Sequence, residues 1–386
     1  MAISFVSPSG EVSIQDDLWH VASSSNSGQT DFKFVFDVYY KGQQLVRTKV
    51  FPDTLNGKGY FNASQVVRNE ITFDWFQPVA NDSKSFINQP STSGQIGLTY
   101  QVSVGEDFSG ITTLNLASGN TTAYNYIPSV FKRRQQTLIS NNWYSNRPKI
   151  INAKITDKIL IGYKGTGTLD LYFETYGENN NLLSSGYGNN TYSSNGYVQM
   201  DIGASAINQT IGSNDINSSV KYYKVRIESG TNSSFIQVNL VCNTKYDSIN
   251  LHFMNAWGMF DSASFDLVSK LTMDLERKTY AKRDYSFNGN SVNYYDSNNV
   301  YNESSINYGS KIDWKYKLTM NYPSDAEYQW LNELIISPQI YAEIDGAFYP
   351  VSIINTNYEY SKNINNGLRA FEIDISMNQT RYGYRR

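Results

Sequence analysis

The chain has 386 residues, of which 40% are hydrophobic, 15% aromatic and only 17% charged, with a formal net charge of −3. Large side chains in such number at so little net charge exclude a disordered chain, and the near-neutral balance excludes a groove built to neutralise many phosphates. The single cysteine, Cys242, excludes an intrachain disulfide and a zinc site made of thiolates.

Tyr alone contributes 31 residues, and Asn, Ser, Thr and Gly are abundant. Tyr, Phe, Val, Ile and Thr suit half-buried pleated surfaces, whereas Asn, Gly and Ser suit turns, so a β-rich chain is expected. The first residues, MAISFVSPSGEVS, carry neither the basic nor the apolar segment of a secretion signal. No run approaches the ~18 apolar residues of a membrane span. The expectation is a soluble chain made in a cytoplasm.

In chain order, DFKFVFDVYYKG alternates, with Phe32, Phe34, Phe36, Val38 and Tyr40 on one face. Lys41-Gly42 turns the chain and LVRTKVF returns, which predicts a β-hairpin with one wet face. Asn62 followed three residues later by Gln65 predicts a short helix over about 63–70. Alternation resumes in GQIGLTYQVSVGEDF. Residues 128–148, with Pro128, Lys132-Arg133-Arg134 and Pro148, read as a connector whose basic run is a solvated face. Strands then recur through KILIGY, TLDLYFETY, YVQMDIG, YYKVRIES and FIQVNLVCN, which places Cys242 as a small core residue. The stretch ENNNLLSSGYGNNTYSSNG, 178–196, reads as a polar loop.

LHFMNAWGMFDSASFDL, 251–267, predicts two strands around a turn at NAWGMFD. Gly258 permits a positive φ there, and Asn255 and Asp261 brace the turn. Residues 283–310 read as an Asn/Tyr-rich surface loop. Ser324-Asp325-Ala326-Glu327 forms a capping box ahead of a helix that Pro338 stops. IYAEIDGAFYPVSII predicts a hairpin on Asp345-Gly346, and FEIDISM alternates through Phe371, Ile373, Ile375 and Met377.

The fold expected is mainly β, with two antiparallel β-sandwich-like domains and a small C-terminal α+β domain that carries one helix on a sheet. The boundaries expected are an N-terminal β domain over 1–127, a connector over 128–148, and a central sandwich with its hairpin over 149–275. A loop over 276–310 and the C-terminal domain over 311–386 follow.

Chemistry finds little foothold. A hydrolytic triad needs His252 or His20 held by an acid beside a nucleophile, and neither histidine sits in a spacing that announces one. His20 follows Asp16-Asp17 in QDDLWH, but triads assemble across a fold and not along a sequence. The spacing offers no HExxH pair for a metal. Glu372 and Asp374 share a strand face, as the wet side of a sheet would. IGYKGTGTLD lacks the Lys-Ser/Thr of a phosphate loop and reads as a β-turn. No catalytic residue, cofactor site or metal site is assigned.

Three stretches together resemble a family of virion structural proteins, of tail or neck, from tailed phages that infect Bacteroidetes, crAss-like phages included. They are FKFVFDVYYKGQQLVRTKVFPDTLNGKGYFNASQVVRNEITFDWF, the 251–267 hairpin with KTYAKR after it, and WLNELIISPQIYAEIDGAFYPVSIINTNYEY. The resemblance covers about half the chain in the family's order. It implies a non-enzymatic, multi-copy protein that is made and assembled in the bacterial host cytoplasm and located in the virion. It implies self-association into a symmetric ring and contacts with neighbouring tail or neck proteins, with no specific nucleic acid and no membrane span.

Trp257, Met259 and Phe260, with the tail residues Arg381, Arg385 and Arg386, are the expected partner contacts, because aromatic side chains bury much area at low entropic cost. Two competing readings are a glycan-binding host-recognition protein and a virion-associated hydrolase.

Overall fold

The computed structural model describes residues 3–8, 11–13, 16–70, 86–88, 98–113, 122–127, 142–188, 192–228, 232–241, 247–320, 323–355 and 371–384. The architecture is mainly β, with several antiparallel sheets and three helices among the described residues. The chain divides into two compact units. The first comprises 1–243, 252–263 and 325–338; the second comprises 244–251, 264–324 and 339–386.

The first unit opens with a three-stranded sheet, Ser4–Val6, Trp19–Ser23 and Gly59–Asn62, followed by helix α1, Ser64–Arg68. The helix forms where predicted, but its N-cap is Ala63, which makes no side-chain cap bond. Asn62, predicted as the cap, stands one residue earlier, and its Oδ1 accepts the N–H groups of Leu18 and Ser64, both at 3.0 Å. A six-stranded sheet has the order Glu11–Ser13, Thr122–Ile127, Leu98–Phe108, Lys33–Tyr40 and Gln43–Val50, with Ile111–Thr113 paired to Leu98–Phe108.

The predicted hairpin forms with Phe34 opposite Val50 and Phe36 opposite Thr48. Lys41 and Gly42 both have positive φ, 49° and 79°, as a two-residue turn matched to strand twist requires. The predicted wet face holds on the return strand, where Arg47 and Lys49 are exposed, and needs correction on the first strand. Val35 and Asp37 are fully buried along with Phe34, Phe36 and Val38. Asp37 is held by a two-bond contact with Arg47, directly across the hairpin, at 2.8 Å for each bond.

The other large core of this unit is built on one strand, Leu160–Tyr176. Its first half pairs with Tyr192–Asp201, from Leu160 opposite Asp201 to Leu169 opposite Tyr192. From Asp170 onward the partner is Tyr222–Glu228. The stretch IGYKGTGTLD, expected to be a turn, is therefore strand interior. Gly167 at φ 85° lies just before the change of partner, where a residue without Cβ lets a strand bend. The 178–196 stretch also departs from expectation: Leu182–Tyr187 and Tyr192–Asp201 are both strands paired to this long one. Composition argues for turns there, but the long strand supplies a register that overrides it.

Helix α2, Ala204–Ile211, ends at Gly212 with φ 70°, the usual left-handed stop. Cys242, Lys132, Arg133, Arg134, Arg385 and Arg386 lie outside the described residues.

In the second unit, neighbouring strands run in the order Ile340–Ile344, Ala347–Ile353, Phe371–Tyr384, Ser305–Met320 and Lys270–Ala281. Asp345 and Gly346 have φ 51° and 74°, the turn that Asp-Gly predicts. Residues 276–310 are not a loop. Lys270–Ala281 and Ser305–Met320 pair from Lys270 opposite Lys317 to Ala281 opposite Ser305, and the short strands Ser286–Asn288 and Ser291–Asn293 pair near the far end. Helix α3, Asp325–Ile336, forms where the capping box predicts it, but it belongs to the first unit and not to the C-terminal sheet.

Candidate functional site

The 251–267 stretch folds as predicted around residues 255–259. Asn255 N–H donates to Met259 O at 2.7 Å, and Gly258 sits at φ 79°. Asn255 does the bracing: its Oδ1 accepts the N–H groups of Trp257 at 2.9 Å and Met259 at 3.1 Å. Its Nδ2 donates to Tyr144 O at 2.8 Å and to Asp261 Oδ1 at 3.0 Å.

Asp261 is the centre of a polar hub inside the first unit and is fully buried. Its Oδ2 accepts from Ser145 Oγ at 2.6 Å and from Trp330 Nε1 at 2.8 Å. Glu333, one turn along α3 from Trp330, is also buried; its Oε1 accepts from Asn146 Nδ2 at 2.6 Å and its Oε2 from Ala256 N at 2.8 Å. Arg147 donates from Nη1 to Ser262 O at 2.7 Å and lays its guanidinium over the Trp330 ring at 4.7 Å. Gln199 satisfies both backbone groups of Phe260, accepting from its N–H at 2.7 Å and donating to its carbonyl at 2.8 Å.

Burial sets the electrostatics. Withdrawal from water raises the Asp261 carboxyl to about 6, against the lowering pull of Ser145, Trp330, Arg147 and Asn255. Glu333 is raised to about 7, first by burial and then by the charge of Asp261. Burial lowers the Arg147 guanidinium, an effect that Asp261 and Glu327 oppose.

His252 Nδ1 lies 2.8 Å from Ser262 Oγ, which also accepts the Leu160 N–H at 2.8 Å. That distance suits a nucleophile and its base, but His252 and Ser262 are both buried in the core. A base must reach its substrate, and here the imidazole is spent on joining Ser262 to the strand at Leu160. His20 is likewise buried, stacked on Phe5 at 5.6 Å and 3.2 Å from Tyr100 Oη; burial lowers it to about 4. Glu372 pairs with Lys317 at 2.6 Å, as a residue of a wet face would.

The partner contacts expected at the hairpin need correction. Met259 and Phe260 are fully buried within the first unit. Met259 fills the space left by Gly162, where a Cβ would lie 2.4 Å from Met259 Cγ. Trp257 is half-buried, with its ring centre 5.1 Å from that of Tyr144 and its Nε1 donating to Asn146 Oδ1 at 3.2 Å. Arg381 lies on the strand Phe371–Tyr384, opposite Ile312.

This packing gives a direct test. Gly162→Ala is expected to destabilise the first unit by about 1–3 kcal/mol, because the added methyl has to displace Met259. Met259→Ala in the same chain removes the contact with Cγ but leaves the residue-259 Cβ 2.5 Å from the new methyl, so it should relieve only part of that penalty. Denaturant midpoints over the four-member cycle measure the coupling.

The hub's members come from separated places. Arg147, Asp261 and Glu333 meet only through the fold, and sequence reasoning reached Asp261 alone, through its place in the turn. The capping box located α3 but not the face that turns Glu333 inward.

A shallow groove of about 690 Å³ lies elsewhere, beside α2, lined by residues including Ile155, Thr156, Ser205 and Gln209; it holds no acid, base or histidine. Among the described residues no helix is long and apolar enough to cross a membrane. A scan of protein-family models and a search of curated proteins each return no match to this chain.

Proposed function

We propose that this protein is a non-enzymatic structural component of a tailed-phage virion, a multi-copy tail or head–tail neck protein that acts through protein–protein contacts. The observation that carries this reading is the β-arm of the second unit. Over Lys270–Ala281 every residue is exposed, and large apolar side chains, among them Leu271, Met273, Tyr280, Phe287 and Tyr301, face solvent along the arm. A patch of that kind on a chain so low in charge is what a partner covers. The hub fits the same reading: its polar atoms serve to lock a hairpin, a helix and a long strand into one rigid body.

The reading is tested by mass spectrometry of purified particles. The chain should be present in stoichiometric, symmetric copy number, six or twelve for a tail or neck ring. Its absence from washed particles ends the proposal.

A second reading, host recognition through glycan binding, is favoured by one feature. Tyr285, Phe287, Tyr294, Tyr295 and Tyr301 form a run of mutual ring contacts with centroids 5.3–6.4 Å apart. Deletion of residues 283–304 should then abolish adsorption to the host while leaving particle assembly intact. Unchanged adsorption removes this second reading.

A further inference from the structure

Among the described residues Lys270–Ala281 is the terminal strand of its sheet, with Ser305–Met320 on one side only. A strand of this length with a bare edge presents a row of unpaired N–H and C=O groups. KLTMDLERKTYA contains no proline, and the register with its neighbour is unbroken from Lys270 to Lys278. Its charged side chains, Lys270, Asp274, Glu276, Arg277 and Lys278, and the irregularity after Lys278 restrict which partner the edge accepts.

The two faces of the strand differ. Leu271, Met273 and Leu275 point one way and are 49%, 49% and 39% exposed. Their cross-strand partners are Tyr316, Trp314 and Ile312, each half-buried. The same face continues along Ser305–Met320 to Leu318, which is fully buried opposite Ile373. A core face thus runs out of cover as it approaches the edge. On the other face Lys270 and Glu276 make no ion pair among the described residues.

We infer that this edge pairs with the same edge of a second copy, antiparallel, about a two-fold axis at Met273. The occupant is identified by complementarity. In an antiparallel pair related by such an axis, opposed residues share a face and their numbers sum to a constant. With Met273 on the axis, Leu271 meets Leu275 of the partner copy, Met273 meets its equivalent, and Lys270 meets Glu276 twice over. Shifting the axis to Leu275 sets Asp274 against Glu276. Shifting it to Asp274 or Glu276 sets that acid against itself, and shifting it to Arg277 sets two guanidinium groups together among the apolar residues. Of these registers only the first joins the apolar stripes and pairs the unused charges. Directly opposed charges and apolar side chains are the unit of sheet stabilisation.

This pairing names a partner that the assembly reading leaves open and depends on that reading only for its setting. Particle mass spectrometry tests the setting, and association of the purified full chain tests the pairing.

Sedimentation of the full chain should show a monomer–dimer equilibrium. Lys270→Glu and Glu276→Lys should each weaken it by at least about tenfold, since each turns two attractions into two repulsions. The double swap Lys270→Glu/Glu276→Lys should restore it. In a Cys242→Ser background, Met273→Cys should cross-link under mild oxidation, because its opposed Cβ atoms come within disulfide reach. Leu271→Cys alone should not, since it faces Leu275. All these sites are exposed, so circular dichroism should be unchanged. A chain that stays monomeric, a dimer indifferent to charge reversal, or equal cross-linking through Leu271→Cys overturns the inference.

Discussion

Asp261→Ala is expected to cost the first unit about 3–5 kcal/mol, a large share of a typical domain's stability. Three donors converge on this carboxylate, from Ser145, Trp330 and Asn255. Alanine leaves the buried Trp330 indole N–H without this acceptor and takes one acceptor each from half-buried Ser145 and from Asn255, which keeps Tyr144 O. The cost is about 1–3 kcal/mol for an unsatisfied buried group. It also strips the Arg147 guanidinium of the first of the charges that favour its ionised form. Arg147→Met added to Asp261→Ala should recover part of the loss, because no unpaired cation then remains.

Asp274→Ala is the control. Asp274 also pairs with a cation, Lys315, but with its side chain 58% exposed, where such pairs contribute about 0–1 kcal/mol. Chemical denaturation monitored with hydrogen exchange separates the two sites. Equal losses at Asp261 and Asp274 would refute the hub as the brace of this unit.

How far the sequence reaches is clearest from particular elements. The 345–346 turn and α3 were legible because their determinants are local: Asp-Gly chemistry in the first, a capping box with a proline stop in the second. The turn at 255–259 was legible for the same reason, down to the bracing role of Asn255.

Where determinants are distant, the reading fails in a physical way. The glycines of 162–167 look like a turn, yet one strand runs through them because it holds partners on either side of the change at Leu169–Asp170. The Asn- and Ser-rich 178–196 stretch becomes strand because a long neighbour offers it hydrogen bonds. Val35 and Asp37 look solvated by alternation, but their strand is interior to its sheet and both side chains are covered. The hub was least legible, since Ser145 is 116 residues from Asp261 and Asn146 is 187 residues from Glu333.

The hub also predicts an unusual pH profile. Asp261 and Glu333 have folded pKa values near 6 and 7, above their ordinary 3.8 and 4.5. Between pH 4 and 7 the folded chain therefore holds more protons than the unfolded one at these two sites. Their contribution is fully present below about pH 4 and is lost as pH rises through 6 to 7. Each shift corresponds to a few kcal/mol on the order of 3, and the two carboxyls titrate as a pair.

His20 acts with the opposite sign. Its folded value near 4 lies below its ordinary 6.5, so its contribution is present above about pH 6.5 and declines by about 3 kcal/mol as pH falls to 4. Two rising terms against one falling term leave the first unit more stable at pH 5 than at pH 7.5, the reverse of a domain dominated by surface ion pairs. Glu333→Gln should flatten that slope to near zero, because it leaves one rising term, Asp261, against one falling term, His20. It should also lower stability at every pH, because an amide can accept only one of the two donors at Asn146 and Ala256, so the slope and not the offset is the readout. His20→Phe keeps a ring against Phe5 and should steepen the slope by removing the opposing term. Urea midpoints at half-unit steps from pH 5 to 7.5 resolve all three lines. A wild-type profile that falls toward acid, with Glu333→Gln running parallel to it, would mean that the buried carboxyls stay ionised and that the hub's donors outweigh its burial.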